Sequence, residues 1–251
     1  MNYKNYIFDL YGTLLDISTN EEKYSLWKYM ADLYAAYGAV YTPNELKRRF
    51  RTLDREAREK MCKEKNVTFS EIKLEKVFLQ LYKEKADAKA FSLENETLWA
   101  DMIANTFRVI SRKYVRPYPQ TLHTLKTLKE NGKKIYLLSN AQAVFTRPEI
   151  RLSGIEEYFD VMYISSDFDV KKPEQIFLQS LLENEGLNPK ESVMIGNEME
   201  SDVKIADLCG IDGIYINLKH EDEKTIQKRR KALEIQQNFA VIEDIGGVLE
   251  H

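Results

Sequence analysis

Tyr6-Ile7-Phe8-Asp9 is a short apolar run that drives straight into a carboxylate, with Gly12 and Thr13 just beyond it. The run predicts a buried strand ending at Asp9, and in open α/β sheets the carboxyl ends of strands are where ligands bind. Gly12 lets the backbone bend closely around a bound anion, and Thr13 offers a hydroxyl and a backbone N–H. A carboxylate with donors beside it suits nucleophilic attack on phosphorus or carbon. Further along, Ser139-Asn140 follows the apolar run Ile135-Tyr136-Leu137-Leu138, so a hydroxyl and an amide at a second strand end can donate to an oxyanion. On its own such a pair is the turn after any strand. In Lys172-Pro173 the proline fixes the lysine in an extended conformation, from which its ammonium can reach a carboxylate and a substrate anion; a surface lysine is the plainer reading. Lastly, Val193-Met194-Ile195-Gly196 leads into Asn197, Glu198 and Asp202. Acidic side chains on a loop of this kind can hold a hard cation such as Mg²⁺, and Asp202 can equally cap the helix that follows.

The elements that must position these residues fall into two textures. From Ile17 to about Val115 the sequence predicts helix after helix and no strand: Asn20 to Tyr37, Thr42-Pro43 to Lys65, Ser70 to Ala86 with Ser70 as cap, and Leu93 or Glu94 to Tyr114. The aromatic stripes of this stretch, Tyr24, Trp27, Tyr34, Tyr37, Phe78, Tyr82 and Trp99, are read as packing between helices. Beyond Pro119 helices and strands alternate. Strands are predicted at Lys134 to Leu138, Val161 to Ile164, Ser192 to Ile195 and Gly213 to Ile216. Helices are predicted at Thr121 to Asn131, Pro148 to Leu152, Glu174 to Glu185, Asp202 to Cys209 and Glu221 to Ile235. This alternation gives the fold class: an α/β protein with a doubly wound, Rossmann-like parallel sheet covered on both faces, carrying an inserted all-helical domain. Residues 1–16 and 116–248 make the α/β core, 17–115 the helical insertion, and 249–251 read as a tag remnant.

Asp9-Leu10-Tyr11-Gly12-Thr13 resembles the first motif of the haloacid dehalogenase-like (HAD) hydrolases, Asp-x-Asp-Gly-Thr, or Asp-x-Tyr-Gly-Thr in the dehalogenases proper. Ser139-Asn140 is similar to the second motif. Lys172-Pro173 is similar to the third, in which the lysine holds nucleophile and transferred group together. The stretch from Gly196 to Asp202 is similar to the acidic fourth. The resemblance covers residues 6 to 217 in the right order, and it implies that the helical insertion is a cap closing over the active site. It further implies catalytic roles for Asp9, Tyr11, Thr13, Ser139, Asn140 and Lys172. Substrate binding would fall to Gly12, Thr13, Ser139, Asn140 and Lys172. A Mg²⁺ site would use Asp9, Glu198 and Asp202, with Asn197 as a further ligand.

Two departures bear on activity. Family phosphatases use the second aspartate of the first motif as general acid and base, and here that position is Tyr11. Losing such a group costs about 10²- to 10⁴-fold in rate, and a phenol with a reference pKa of about 10 is a poor base at neutral pH. Alkyl phosphates are therefore expected to be difficult substrates. The usual first aspartate of the fourth motif is Asn197. The favoured reading is a Mg²⁺-dependent phosphatase forming an aspartyl-phosphate on Asp9. The alternatives are a metal-independent 2-haloacid dehalogenase and a catalytically degenerate protein that binds a phosphorylated ligand or a partner.

The second helix carries Arg48, Arg49, Arg51, Arg55 and Arg58; pairing with Asp54, Glu56 and Glu59 is favoured over holding an anionic substrate. In the chain of 251 residues, 43% hydrophobic and 31% charged content indicates a globular, soluble protein, and the family resemblance implies a small anionic, phosphorylated metabolite as its partner. A net charge of −3 argues against a broad nucleic-acid surface, and no apolar run reaches the length of a membrane span. Cys62 and Cys209 have no paired spacing and read as ordinary thiols in a reducing compartment, so a cytoplasmic monomer or homodimer is expected. The run Lys228-Arg229-Arg230-Lys231 reads as a solvated helix face.

Overall fold

The computed structural model describes residues 2–86 and 92–251. Strand β1 (Asn5–Phe8) is buried along its whole length and is followed by β2 (Leu15–Thr19). Four helices come next: α1 (Tyr24–Ala36), α2 (Pro43–Lys65), α3 (Leu74–Lys85) and α4 (Glu96–Ser111). The chain then alternates through β3 (Arg112–Pro117), α5 (Thr121–Glu130), β4 (Lys134–Ser139), α6 (Ala143–Leu152) and β5 (Val161–Ile164). It finishes with α7 (Gln175–Asn184), β6 (Ser192–Gly196), α8 (Lys204–Cys209), β7 (Asp212–Ile216), α9 (Glu223–Ala232) and β8 (Phe239–Ile242).

The six-stranded sheet runs β5-β4-β1-β6-β7-β8, with every pairing parallel. β1 lies between β4 and β6, with Phe8 level with Leu137 on one side and Ile195 on the other. Because β4 and β5 extend the sheet on one side of β1 and the chain then crosses to build β6, β7 and β8 on the other, the carboxyl end of β1 is the switch point of the sheet, where a crevice opens. Alternate residues of each strand feed the two faces. Tyr6, Phe8, Leu137 and Ile195 pack with α5 and α6 through Leu125, Leu128 and Ile150. Ile7, Leu138 and Met194 pack on the other face with Phe177, Leu181 and Ile205 from α7 and α8. The α/β fold with a parallel, doubly covered sheet is the one the alternation predicts.

Helices α1 to α4 bury a separate core in which Trp27, Phe50, Phe78 and Phe107 meet at centroid distances of 5.1–5.6 Å. Helix α2 starts where expected, with Thr42 Oγ1 accepting from Glu45 N–H and Glu45 reaching back, a reciprocal cap. Of the aromatic stripe, Trp27, Tyr34, Phe78, Tyr82 and Trp99 are buried, whereas Tyr24 is exposed on α1.

Several boundaries differ from the sequence expectation. Two strands, β2 and β3, lie where none was expected, paired antiparallel from Leu15↔Pro117 to Thr19↔Arg112. Arg112-Lys113-Tyr114-Val115-Arg116-Pro117 is basic and largely solvent-facing, so it offers no apolar alternation and reads as the tail of α4. Ser70 does not cap α3, which starts at Leu74; its hydroxyl donates to Arg58 O at 2.9 Å and its backbone bridges Val170. The true cap of α4 is Asn95, whose Oδ1 accepts Leu98 N–H at 3.0 Å. Helix α6 begins at Ala143 with Pro148 inside it, and β8 was not anticipated. Asp202 falls in a wide π-type turn, Met199–Val203, ahead of α8. Among the described residues no helix is long and apolar enough to cross a membrane.

Candidate active site

Asp9 continues β1, its N–H donating to Ile195 O at 2.9 Å, so the carboxylate sits at the tip of the central strand. Lys172 Nζ lies 2.7 Å from Asp9 Oδ1 and 2.7 Å from Asp202 Oδ1. The Lys172 side chain is 1% exposed and that of Asp202 2%. Burial works against the Lys172 ammonium, but the two carboxylates overcome it and hold its pKa above the ordinary value. Burial, with the Asp9 charge adding to it, pushes Asp202 up to about 6 against the pull of Lys172. The second oxygen of Asp202 accepts Glu198 N–H at 3.0 Å, which closes the turn after β6. This reaches back along the chain and is not the forward helix cap weighed from the sequence. Gly196 is required here, since a Cβ at that position would overlap Asp202.

Thr13 Oγ1 donates to Asp9 Oδ2 at 3.2 Å and stands 3.3 Å from Asn197 Oδ1. Its backbone N–H is spent on Leu10 O at 3.3 Å. Gly12 has φ +84°, and a Cβ there would overlap the Asn197 amide, so this close approach of two loops admits only glycine. Among the described residues Ser139 Oγ is buried without a hydrogen-bond partner, at the end of β4, the strand paired with β1. Asn140 does something the sequence did not suggest. Its Nδ2 donates to Lys172 O at 3.0 Å and its Oδ1 accepts Lys172 N–H at 2.7 Å, so the amide clamps the backbone of the lysine.

The acidic residues of the fourth stretch separate. Glu198 is exposed and accepts Ser201 Oγ at 3.2 Å, while both oxygens of Asp202 are engaged as above. Among the described residues no three His, Cys, Asp or Glu side chains converge as a metal cage. What converges is one carboxylate and one amide oxygen, Asp9 Oδ2 and Asn197 Oδ1, both within reach of the Thr13 hydroxyl. That donor set suits a Mg²⁺ ion that takes its remaining ligands from substrate phosphate and water.

The Tyr11 hydroxyl is engaged on α6, where it bonds to the Glu149 carboxylate and to Thr146 Oγ1 at 3.1 Å. Glu149 is in turn held by Arg108 of α4, with Nε at 2.8 Å and Nη2 at 3.0 Å, and by Arg112 Nη1 at 2.6 Å. The Arg108 guanidinium lies 5.3 Å from the Tyr11 ring centroid and 4.6 Å from that of Phe145. Burial and the Glu149 charge raise the phenol further above its ordinary pKa. Burial opposes ionisation of Glu149, but Arg108, Tyr11 and Arg112 together overcome it and hold the carboxyl below its usual range. Tyr11 is thus a tie between the first motif and the helical unit. Arg108 and Glu149 were not singled out from the sequence. The available signal was Arg108 itself, a charge set in the buried stripe Ile103, Ala104, Phe107 and Ser111 of α4.

Four of the arginines on α2 are committed to carboxylates: Arg49 to Glu84, Arg51 to Glu22, Arg55 to Glu59, and Arg58 to Asp54 and Glu71. Arg48 is exposed.

The chain is similar to known proteins in sequence and in fold. It is 26% identical over 145 residues to the glyceraldehyde 3-phosphate phosphatase of Methanothermobacter thermautotrophicus, covering 58% of this chain and 62% of that protein. Across the first such phosphatases the match spans about half to three-fifths of the relatives' length. The 2-haloacid dehalogenase of Pseudomonas syringae pv. Tomato superposes with a TM-score of 0.68 at 17% identity, covering 99% of this chain and 97% of that one. A HAD phosphatase from Thermococcus onnurineus gives 0.60 at 20% identity, covering 98% and 96%. These structural likenesses establish the shared fold. The sequence pattern of the haloacid dehalogenase-like hydrolases matches residues 3–210, and the chain belongs to that family.

Proposed function

We propose that the protein is a Mg²⁺-dependent phosphohydrolase acting on a small phosphorylated metabolite through an aspartyl-phosphate on Asp9. The observation that carries this reading is the Ser139 hydroxyl, buried and unpartnered among the described residues, at the end of the strand paired with β1, whose tip carries a carboxylate already held by Lys172 and Thr13. A buried hydroxyl without a partner costs about 1–3 kcal/mol, and a phosphoryl oxygen would satisfy it. In the proposed reaction an Asp9 oxygen attacks phosphorus and the bond to the leaving oxygen breaks with its electron pair. Water then cleaves the acyl phosphate and frees Asp9. Lys172 holds the carboxylate and neutralises the transferred group, and Thr13 and Ser139 donate to its oxygens. Bound Mg²⁺, held by Asp9 and Asn197, would neutralise charge on the phosphoryl oxygens. With Tyr11 tied to Glu149, no carboxylic acid stands in the general-acid position, which favours acyl and aryl phosphates over alkyl ones. The helices of residues 17–115 act in this reading as the cap that excludes water.

A second reading, a 2-haloacid dehalogenase, is favoured by Tyr11 and by the amide at Asn197, because halide leaves without a proton and needs no metal. The deciding experiment is a panel of acyl, aryl, sugar and nucleotide phosphates, each with Mg²⁺ and with EDTA, beside 2-chloropropionate with halide detection. Metal-dependent phosphate release biased toward good leaving groups supports the phosphohydrolase. Halide release indifferent to EDTA replaces it with the dehalogenase, and silence on both replaces it with a binding role.

A further inference from the structure

Glu71 lies in the segment that enters α3, outside every motif of the family resemblance, yet its carboxylate is buried. Oε1 accepts from Arg58 Nη1 at 2.6 Å, from Gln142 Nε2 at 3.1 Å and from the N–H of Ile72 at 3.0 Å, and Oε2 from Ser165 Oγ at 3.2 Å. Arg58 belongs to the helical unit; Gln142 and Ser165 belong to the core. Gln142 is spent entirely on this segment, since it also donates to Ile72 O and accepts Leu74 N–H, each at 2.9 Å. Ser165 Oγ in turn receives Ala141 N–H at 2.9 Å, directly after Ser139-Asn140, and its one proton is shared between Glu71 Oε2 and Ala141 O at 3.1 Å. On its other side the same segment pairs with the chain that leads into Lys172: Lys171 N–H donates to Phe69 O at 3.1 Å and Glu71 N–H to Asp169 O at 2.9 Å. Asn140 closes the ring by clamping the Lys172 backbone.

A cap segment is therefore threaded between the loop that presents Ser139 and the loop that presents Lys172, with Glu71 at the crossing. We propose that Glu71 is a positioning residue: seated among Gln142, Ser165 and Arg58, it sets the two core loops in register, so that Ser139 and Lys172 face Asp9 correctly only when the helical unit is docked. A carboxylate suits the task because its oxygens accept from both domains at once, which no apolar contact does with direction. The proposal rests on the reading that these loops serve the hydrolysis of substrate at Asp9, and its first test does not use that activity.

Native-state hydrogen exchange on the unmodified protein should show residues 69–74, 139–143 and 169–172 opening as one cooperative unit, distinct from α5 and β8. If 69–74 opens while both core loops stay protected, the proposal falls. The second test compares Glu71→Leu and Glu71→Gln with Glu64→Ala on the exposed face of α2. Since misplacement of reacting groups by about 1 Å can cost about 10²-fold in rate, Glu71→Leu is expected to lower kcat by roughly 30- to 100-fold with KM little changed. Glu71→Gln, which keeps a carbonyl for Gln142 and Ile72, should recover most of it, and Glu64→Ala should behave as wild type. Wild-type kcat in Glu71→Leu overturns the proposal. A wild-type protein that hydrolyses neither phosphate nor haloacid substrates overturns the proposed function, and the exchange result still decides the coupling.

Discussion

Asp9 and Asp202 hold the same ammonium: each offers Lys172 Nζ an oxygen at 2.7 Å, and neither the lysine nor Asp202 is wet. One positive charge thus stands between two carboxylates in a dry crevice, and removing it should be costly. Lys172→Met leaves two uncompensated charges and is expected to lower stability by about 3–5 kcal/mol, read as a shift of the denaturant midpoint at pH 7. A change within experimental error would mean that the crevice is wetter than these contacts imply.

The nucleophile makes a separate prediction. Asp9→Asn keeps the volume and one acceptor for Lys172 but loses the attacking charge, so turnover of any substrate the wild type accepts should fall by about 10⁴-fold or more. Trapping with an acyl phosphate and mass spectrometry of the quenched protein should give an adduct on residue 9 in the wild type and none in the variant.

Gly196 sets the position of Asp202, because a side chain there would enter the space the carboxylate occupies. Gly196→Ala should therefore push Asp202 off Lys172 and cost about 1–3 kcal/mol through overpacking, with activity lost in parallel. Calorimetry and a single-substrate assay measure both.

The Glu149 cluster gives the pH dependence. Its carboxyl is held below the usual value of 4.5 in the folded protein, so the unfolded chain takes up the proton first as pH falls. The stability it contributes is present in full above pH 4.5 and is lost as the pH drops through the depressed folded value. Glu149→Gln should be less stable than wild type at neutral pH and should lose less on acidification. Tyr11→Phe, which removes one donor to the same carboxylate, is expected to cost about 1–3 kcal/mol with kcat changed by less than a few-fold. Parallel urea titrations at pH 7 and below pH 4.5 read all three proteins.

The sheet and the helical insertion were legible in the sequence because their periodicities are strong: a buried run before Asp9, apolar stretches before Ser139 and Gly196, and a capped, proline-started α2. Weak patterns were lost. β3 is basic and exposed, and β8 follows a polar stretch without a turn signal of its own. At the site, residue type pointed to Asp9, Thr13, Ser139, Lys172 and Asp202; the structure links Thr13 and Lys172 to Asp9 and Lys172 to Asp202, with Ser139 at the end of the adjacent strand. It was silent on direction. Whether Tyr11 faces Asp9 or α6, and whether Asn140 faces substrate or the Lys172 backbone, depends on partners such as Glu149 and Arg108 that are distant along the chain. Glu71 and Gln142 carry no local signal, since a lone Glu or Gln beside a helix start is ordinary surface until another element covers it.

The β2–β3 ribbon has one more implication. Thr19 pairs with Arg112, so the chain leaves the core and returns to it through neighbouring residues. Seen from the sheet, everything from residue 20 to 111 is the tip of a hairpin, and the entropy of closing that loop grows only as the logarithm of its length. The insertion can lengthen or shorten away from Glu71 and Arg108 without disturbing the order of the strands, whereas those two contacts with the core must be kept. Selection on what the molecule recognises can therefore act on the outer part of the insertion while the sheet that holds Asp9 stays as it is.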